Sequence, residues 1–151
     1  MSYNPEIGRQ ITYFEEPDTI FMELDGQVTR EEGREINRRH AEFGYGREHV
    51  FFLLNLAKLD KIDPEVRREA AQVLSHVNLR GMVGYQCPLK GRVMAKLIFT
   101  ALSLFTQTEC PPLLFFDGEE EARAWIRKRR RELTALRPAA PARESESLVG
   151  A

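Results

Sequence analysis

The chain has 151 residues, 42% of them hydrophobic and 30% charged, and its net charge is −1. This length suits one domain with a real core, and the neutral balance gives no reason to expect nucleic acid or an anionic membrane as partner. Residues 1–10 hold no apolar segment behind a basic one, so no signal peptide is visible, and the longest apolar stretch, 93–105, is too short to span a bilayer and contains Lys96. Cys87 and Cys110 form no metal or redox spacing. The simplest expectation is a reduced, cytoplasmic protein with no metal and no cofactor.

Residues 1–10 read as a polar, loosely held arm. Residues 11–14 and 19–24 are rich in strand formers, and Glu15, Glu16, Pro17 and Asp18 signal a turn between them. An antiparallel hairpin closed by Asp25 and Gly26 follows. Thr29 and Glu32 have capping-box spacing, so a helix starts there and runs to about Phe43, with Gly33, Ile36, His40 and Phe43 facing inward. Gly44 and Gly46 supply its end.

Residues 50–56, Val-Phe-Phe-Leu-Leu-Asn-Leu, form an unbroken apolar run of strand length, expected to be covered on both faces. A short loop is expected next, then a helix capped by Asp63 with Pro64 in its first position. Val66, Ala70, Val73, Leu74 and Val77 mark its inner face. Residues 79–85 read as a weaker strand. Pro88 opens another helix, which from 93 to 105 is apolar over most of its circumference and is expected to be well buried. Leu113, Leu114, Phe115 and Phe116 form a last buried strand, and Asp117 starts a final helix docked by Ala122, Trp125, Ile126 and Leu133. The tail, 137–151, has too little apolar content to pack and is expected to be disordered.

The order β-β-α-β-α-β-α-β-α is an α/β fold: a central mixed, mostly parallel sheet of about five strands with about four helices, in a single domain over 11–136. The order and the local sequence together resemble the STAS domain, in its SpoIIAA-like, anti-sigma factor antagonist-like branch. Five pieces carry the resemblance. They are Glu23-Leu24-Asp25-Gly26 at the hairpin end, Val28-Thr29 opening the first helix, Leu53-Leu54-Asn55-Leu56 at the central strand end, Leu59 to Glu65 before the second helix, and Phe116 to Trp125 opening the last. The resemblance implies a bacterial, non-catalytic signal-transduction module that binds a regulatory protein. In switchable family members a partner kinase phosphorylates a serine of an Asp-Ser-Ser-like motif before the second helix. Here that place holds Asp63, Pro64 and Glu65, with no Ser or Thr between Thr29 and Ser75. The usual switch is therefore missing. Glu65 either carries a fixed charge in place of phosphate or is an ordinary acidic residue of a helix's first turn.

The partner-binding residues expected on this reading are Asp60, Asp63, Glu65, Arg67 and Arg68. The same branch is also likened to Sec14-type lipid carriers. The excess apolar surface of the helix 93–105 leaves three outcomes open: deep core, a homodimer face, or the wall of a pocket for a lipid or other apolar ligand, formed by Met94, Leu97, Ile98, Phe99 and Leu102. No enzyme is expected. His40, His49 and His76 lack ligand or triad spacing, and His40 reads as a packed, hydrogen-bonded residue. Cys87 near a helix start is a minor candidate for a reactive thiol. Lys90 and Arg92 near Gly91 are a minor candidate for holding phosphate, and the run 127–131 reads as a solvated basic helix end.

Overall fold

A computed structural model describes residues 4–106 and 110–136; the expected tail lies outside them. The elements are β1 (Glu6–Ile7), β2 (Gln10–Glu15), β3 (Thr19–Val28), α1 (Arg30–Gly44), β4 (Val50–Ile62), α2 (Pro64–Leu74), β5 (Leu79–Tyr85), α3 (Leu89–Leu102), β6 (Leu113–Phe116) and α4 (Glu119–Leu136). They build one six-stranded sheet in sequence order. β1, β2 and β3 are antiparallel; β3 through β6 are parallel. Part of the expected arm is thus an edge strand, and Pro5 O accepts a hydrogen bond from Thr12 N at 2.9 Å.

The central run behaves as its composition dictates. Side chains alternate across a strand, so Val50, Phe52, Leu54 and Leu56 of β4 enter one core, with residues from α1, α2 and α3. Phe51 and Leu53 enter a second core, with Ala122 and Ile126 of α4. Three helices therefore cover one face of the sheet and α4 covers the other. The ring of Trp125 stands edge-on to Phe51 and presses on Gly81, where an added Cβ would come within 2.6 Å of it.

Four expectations change. The loop after residue 56 is strand: β3 and β4 run on together past their neighbours, and Val28 pairs with Ile62. Gly26 permits this at φ +69°, beside a shift of register. α2 ends at Leu74, with Val77 half-buried beyond it. β6 is half-buried rather than buried, because it is an edge strand. α3 is not well buried either. It is an end helix of its layer, packed on α2 along one side, and Leu89 is 78% exposed, with Val93 and Leu97 exposed as well.

Candidate functional site

Because Val28 and Ile62 are partners across the extended β3–β4 ladder, the two helices that follow start side by side. Thr29 caps α1 by accepting a hydrogen bond from Glu32 N, and the Glu32 carboxylate accepts one from Thr29 N at 3.1 Å. Asp63 caps α2: its Oδ1 accepts from Glu65 N at 2.8 Å. That bond, more than any other cause, holds the Asp63 carboxyl below its usual range, with Arg30 contributing further.

Arg30, the first residue of α1, reaches across. Its Nε is 3.4 Å from Asp63 Oδ2 and its Nη2 is 3.7 Å from Glu65 Oε1. Arg68 approaches the other Glu65 oxygen at 3.1 Å. Glu65 thus stands between two guanidinium groups at the start of α2, in a shallow cleft lined by Arg30, Asp63, Pro64, Glu65 and Arg68. The sequence reading did not include Arg30. Its signal was topological: parallel strands that end in register set the first residues of the next two helices together.

The remaining expected contact residues divide. Asp60 is exposed on the β4 extension and accepts from Lys90 Nζ at 2.7 Å, which holds its carboxyl below the usual range. Arg67 turns inward. Its Nη1 donates to Ile62 O at 2.7 Å and lies 3.9 Å from Met94 Sδ. Asp63, Glu65 and Arg68 line one cleft, Asp60 stands apart from it on its pair with Lys90, and Arg67 is tied back to the end of β4.

The apolar pocket expected beside α3 is mostly filled. Met94 and Ile98 line a partly open apolar cavity of about 60 Å³ between the sheet and α1, α2 and α3, with Met22, Leu54, Val66 and Met82. Leu102 is core, Phe99 packs partly against it, and Leu97 points outward. At about 60 Å³ it is smaller than the ~150 Å³ of a cavity that accepts benzene.

The other candidates are occupied by structure. His40 is buried, with Nε2 2.9 Å from Thr12 Oγ1, and burial pushes its pKa down to about 3, keeping the ring neutral. His49 accepts from Arg80 Nε at 3.2 Å. Cys87 is buried with Sγ 3.5 Å from Tyr85 O, and burial raises its pKa, the opposite of what a reactive thiol needs. Lys90 is held by Asp60; Arg92 Nε donates to Cys87 O at 3.0 Å while its guanidinium lies over Phe115, so neither is aimed at a free phosphate position. In the basic run, Arg127 pairs with Glu120, Arg129 with Glu132 and Arg130 with Asp18. Tyr85 is pushed up to about 12, first by burial. Among the described residues no group of three or more His, Cys, Asp or Glu could hold a metal ion, and no helix is long and apolar enough to cross a membrane.

No family model matches the chain, and no curated protein matches it in sequence. Solved structures do match. The anti-sigma factor antagonist SpoIIAA in its unphosphorylated form aligns with a TM-score of 0.51 at 14% identity, over 79% of this chain and 96% of that one. The fold is SpoIIAA-like. A DUF3478 family protein with a SpoIIAA-like fold from Shewanella loihica aligns with a TM-score of 0.55 at 17% identity, over 83% of this chain and 98% of that one. Each SpoIIAA-like neighbour is spanned almost whole, so the resemblance drawn from the local sequence extends to the whole domain's architecture.

Proposed function

We propose that this protein is a non-catalytic regulatory module that binds a protein partner through the surface where α1 and α2 begin. The observation that carries the reading is the seat of Glu65: an acidic side chain in the first turn of α2 on a SpoIIAA-like fold, held between Arg30 and Arg68. The family resemblance assigns that turn to the phosphorylated serine of switchable members. A carboxylate fixed there gives a permanent charge, and its two guanidinium neighbours temper it. The module is then constitutive: contact with the partner is set by abundance or by the partner's own state rather than by phosphorylation of this loop. Charges at such a rim contribute orientation and salt dependence more than bulk affinity.

The test is affinity capture from the source cells with wild type, Glu65→Arg, Arg68→Glu and Glu65→Ser. The same partner is expected on wild type and to be lost on both charge reversals. Glu65→Ser is expected to weaken it, with recovery after phosphorylation in vitro. Equal capture by wild type and both reversals would overturn the reading.

A further inference from the structure

Among the described residues α4 is the one helix on the second face of the sheet, and it packs chiefly on β4, β5 and β6. Beside it, strand alternation turns Ile11, Tyr13, Phe21 and Glu23 to that same face. The Tyr13 ring stacks on Phe21 with 4.9 Å between centroids, and Ile11 and Tyr13 are only half-buried. Cross-strand pairing sets Glu6, Ile11, Glu23, Asn55 and Tyr85 in one row across the face. Two carboxylates of this row have no counterion. Glu6 is exposed on β1 and Glu23 is half-buried on β3, and neither side chain makes a hydrogen bond or an ion pair among the described residues. The acids around them are already held: Glu15 and Glu119 both meet Arg123, and Asp25 meets Arg9. Burial first, then neighbouring carboxylates that include Glu23, raise the pKa of both Tyr13 and Tyr85, so the Glu23 charge acts across this face.

Uncompensated negative charge beside an aromatic, apolar strand pair selects the occupant. An anionic membrane or a nucleic acid is repelled by Glu6 and Glu23. A second copy across a twofold axis would set these carboxylates against their own equivalents. The chain's own residues 137–151 hold two arginines and two glutamates, so they bring no net positive charge. A metal ion lacks a third ligand among the described residues. An arginine satisfies both halves of the surface, because its planar group lies flat on an aromatic ring while its fork meets a carboxylate. Tyr13 and Glu23 are diagonal neighbours across the β2–β3 pair, about 7–8 Å apart and within reach of one long side chain.

We propose that this open face of β1, β2 and β3 is a docking surface for a basic segment of a protein partner, with an arginine of that segment laid on Tyr13 and paired with Glu23. Glu6, at the sheet edge, attracts a second cation of the same segment. The surface is on the opposite side of the sheet from α1 and α2, and it does not depend on the Glu65 reading.

The probe is a short labelled peptide in which arginine alternates with leucine, compared with the same peptide carrying neutral citrulline in place of arginine. Fluorescence anisotropy with the full chain is expected to show at least tenfold tighter binding of the arginine peptide, weakening as salt rises. Glu23→Gln is expected to reduce that preference several-fold, and Glu23→Gln with Glu6→Gln to bring the two peptides level. Near-UV circular dichroism verifies that the fold is kept, and Glu6→Gln, at an exposed edge position, gives an independent reading of the same preference. Glu65→Gln is expected to leave peptide binding intact, so failure here and failure of the Glu65 reading are separate results. Equal binding of the two peptides by wild type, an undiminished preference in the double variant, or spermidine binding as tightly as the arginine peptide would each overturn the proposal.

Discussion

Thr12 and His40 meet in the core with 2.9 Å between Oγ1 and Nε2, joining the hairpin to α1. The hydroxyl has one proton, and it goes to Phe21 O at 2.7 Å. The imidazole is therefore the donor, neutral and protonated on Nε2. Its pKa falls to about 3 through burial, whereas an unfolded histidine titrates near ~6.5. The stability carried by this neutral ring is complete above the unfolded value. It is lost as pH falls from ~6.5 toward 3, because the unfolded state takes up the proton first. The limiting slope is ~1.4 kcal/mol per pH unit. Urea titrations at pH 7.5 and 4.5 are expected to show this loss in wild type and a smaller loss in His40→Gln. Equal losses would show that His40 does not set the slope.

Thr12→Val keeps the shape of that side chain and removes its oxygen. The His40 donor then has no partner in a buried site, a loss of about 1–3 kcal/mol. The midpoint of denaturation at pH 7.5 measures it.

Arg130 makes a two-pronged contact with Asp18, at 2.9 Å and 2.7 Å, across 112 residues of sequence. It fixes the later half of α4 to the start of β3. Arg130→Lys keeps the charge and loses the planar fork. An expected cost of about 1 kcal/mol for Arg130→Lys, and about 1–3 kcal/mol for Arg130→Ala, follows from losing charge-assisted hydrogen bonds. Thermal melts of the two variants should rank in that order.

Gly33 is where α1 and α2 touch. A Cβ there would come within 2.5 Å of both methyl groups of Val66. Gly33→Ala is expected to cost about 1–3 kcal/mol by overpacking, despite alanine's better helix propensity. Val66→Ala removes the obstructing methyls, so the double variant should lose less than the sum of the two single losses. Additivity in a double-mutant cycle would contradict this direct contact.

Most of the fold could be read from local pattern. The apolar run at 50–56, the Thr29–Glu32 box and the Asp63–Pro64 start each state their element within a few residues, and each forms as read. Features that depend on neighbours could not be read this way. β1 is two residues long and exists because β2 offers an edge. The strand past residue 56 looks polar because Lys58, Asp60 and Lys61 alternate around Leu59 and Ile62, and its partner is the equally polar end of β3. The exposure of α3 is set by its place at the end of a helix layer, which composition does not encode; the same apolar residues in a middle helix would be core. At the site, Asp63 and Glu65 were visible from capping rules, whereas the contact of Arg30 required the strand register.

That α4 alone covers the second face of the sheet has a consequence for synthesis. Every strand leaves the ribosome before the helix that shields Phe51, Leu53 and Val83. At ~5–20 residues per second, the stretch from Phe116 to Leu133 takes about one to three seconds to make, while chain collapse is complete within ~100 μs. The nascent domain therefore passes through an interval with three helices seated and the apolar face around Phe51, Leu53 and Val83 bare. Chaperone dependence and stalling sensitivity should concentrate in that interval, between the last strand and Leu133.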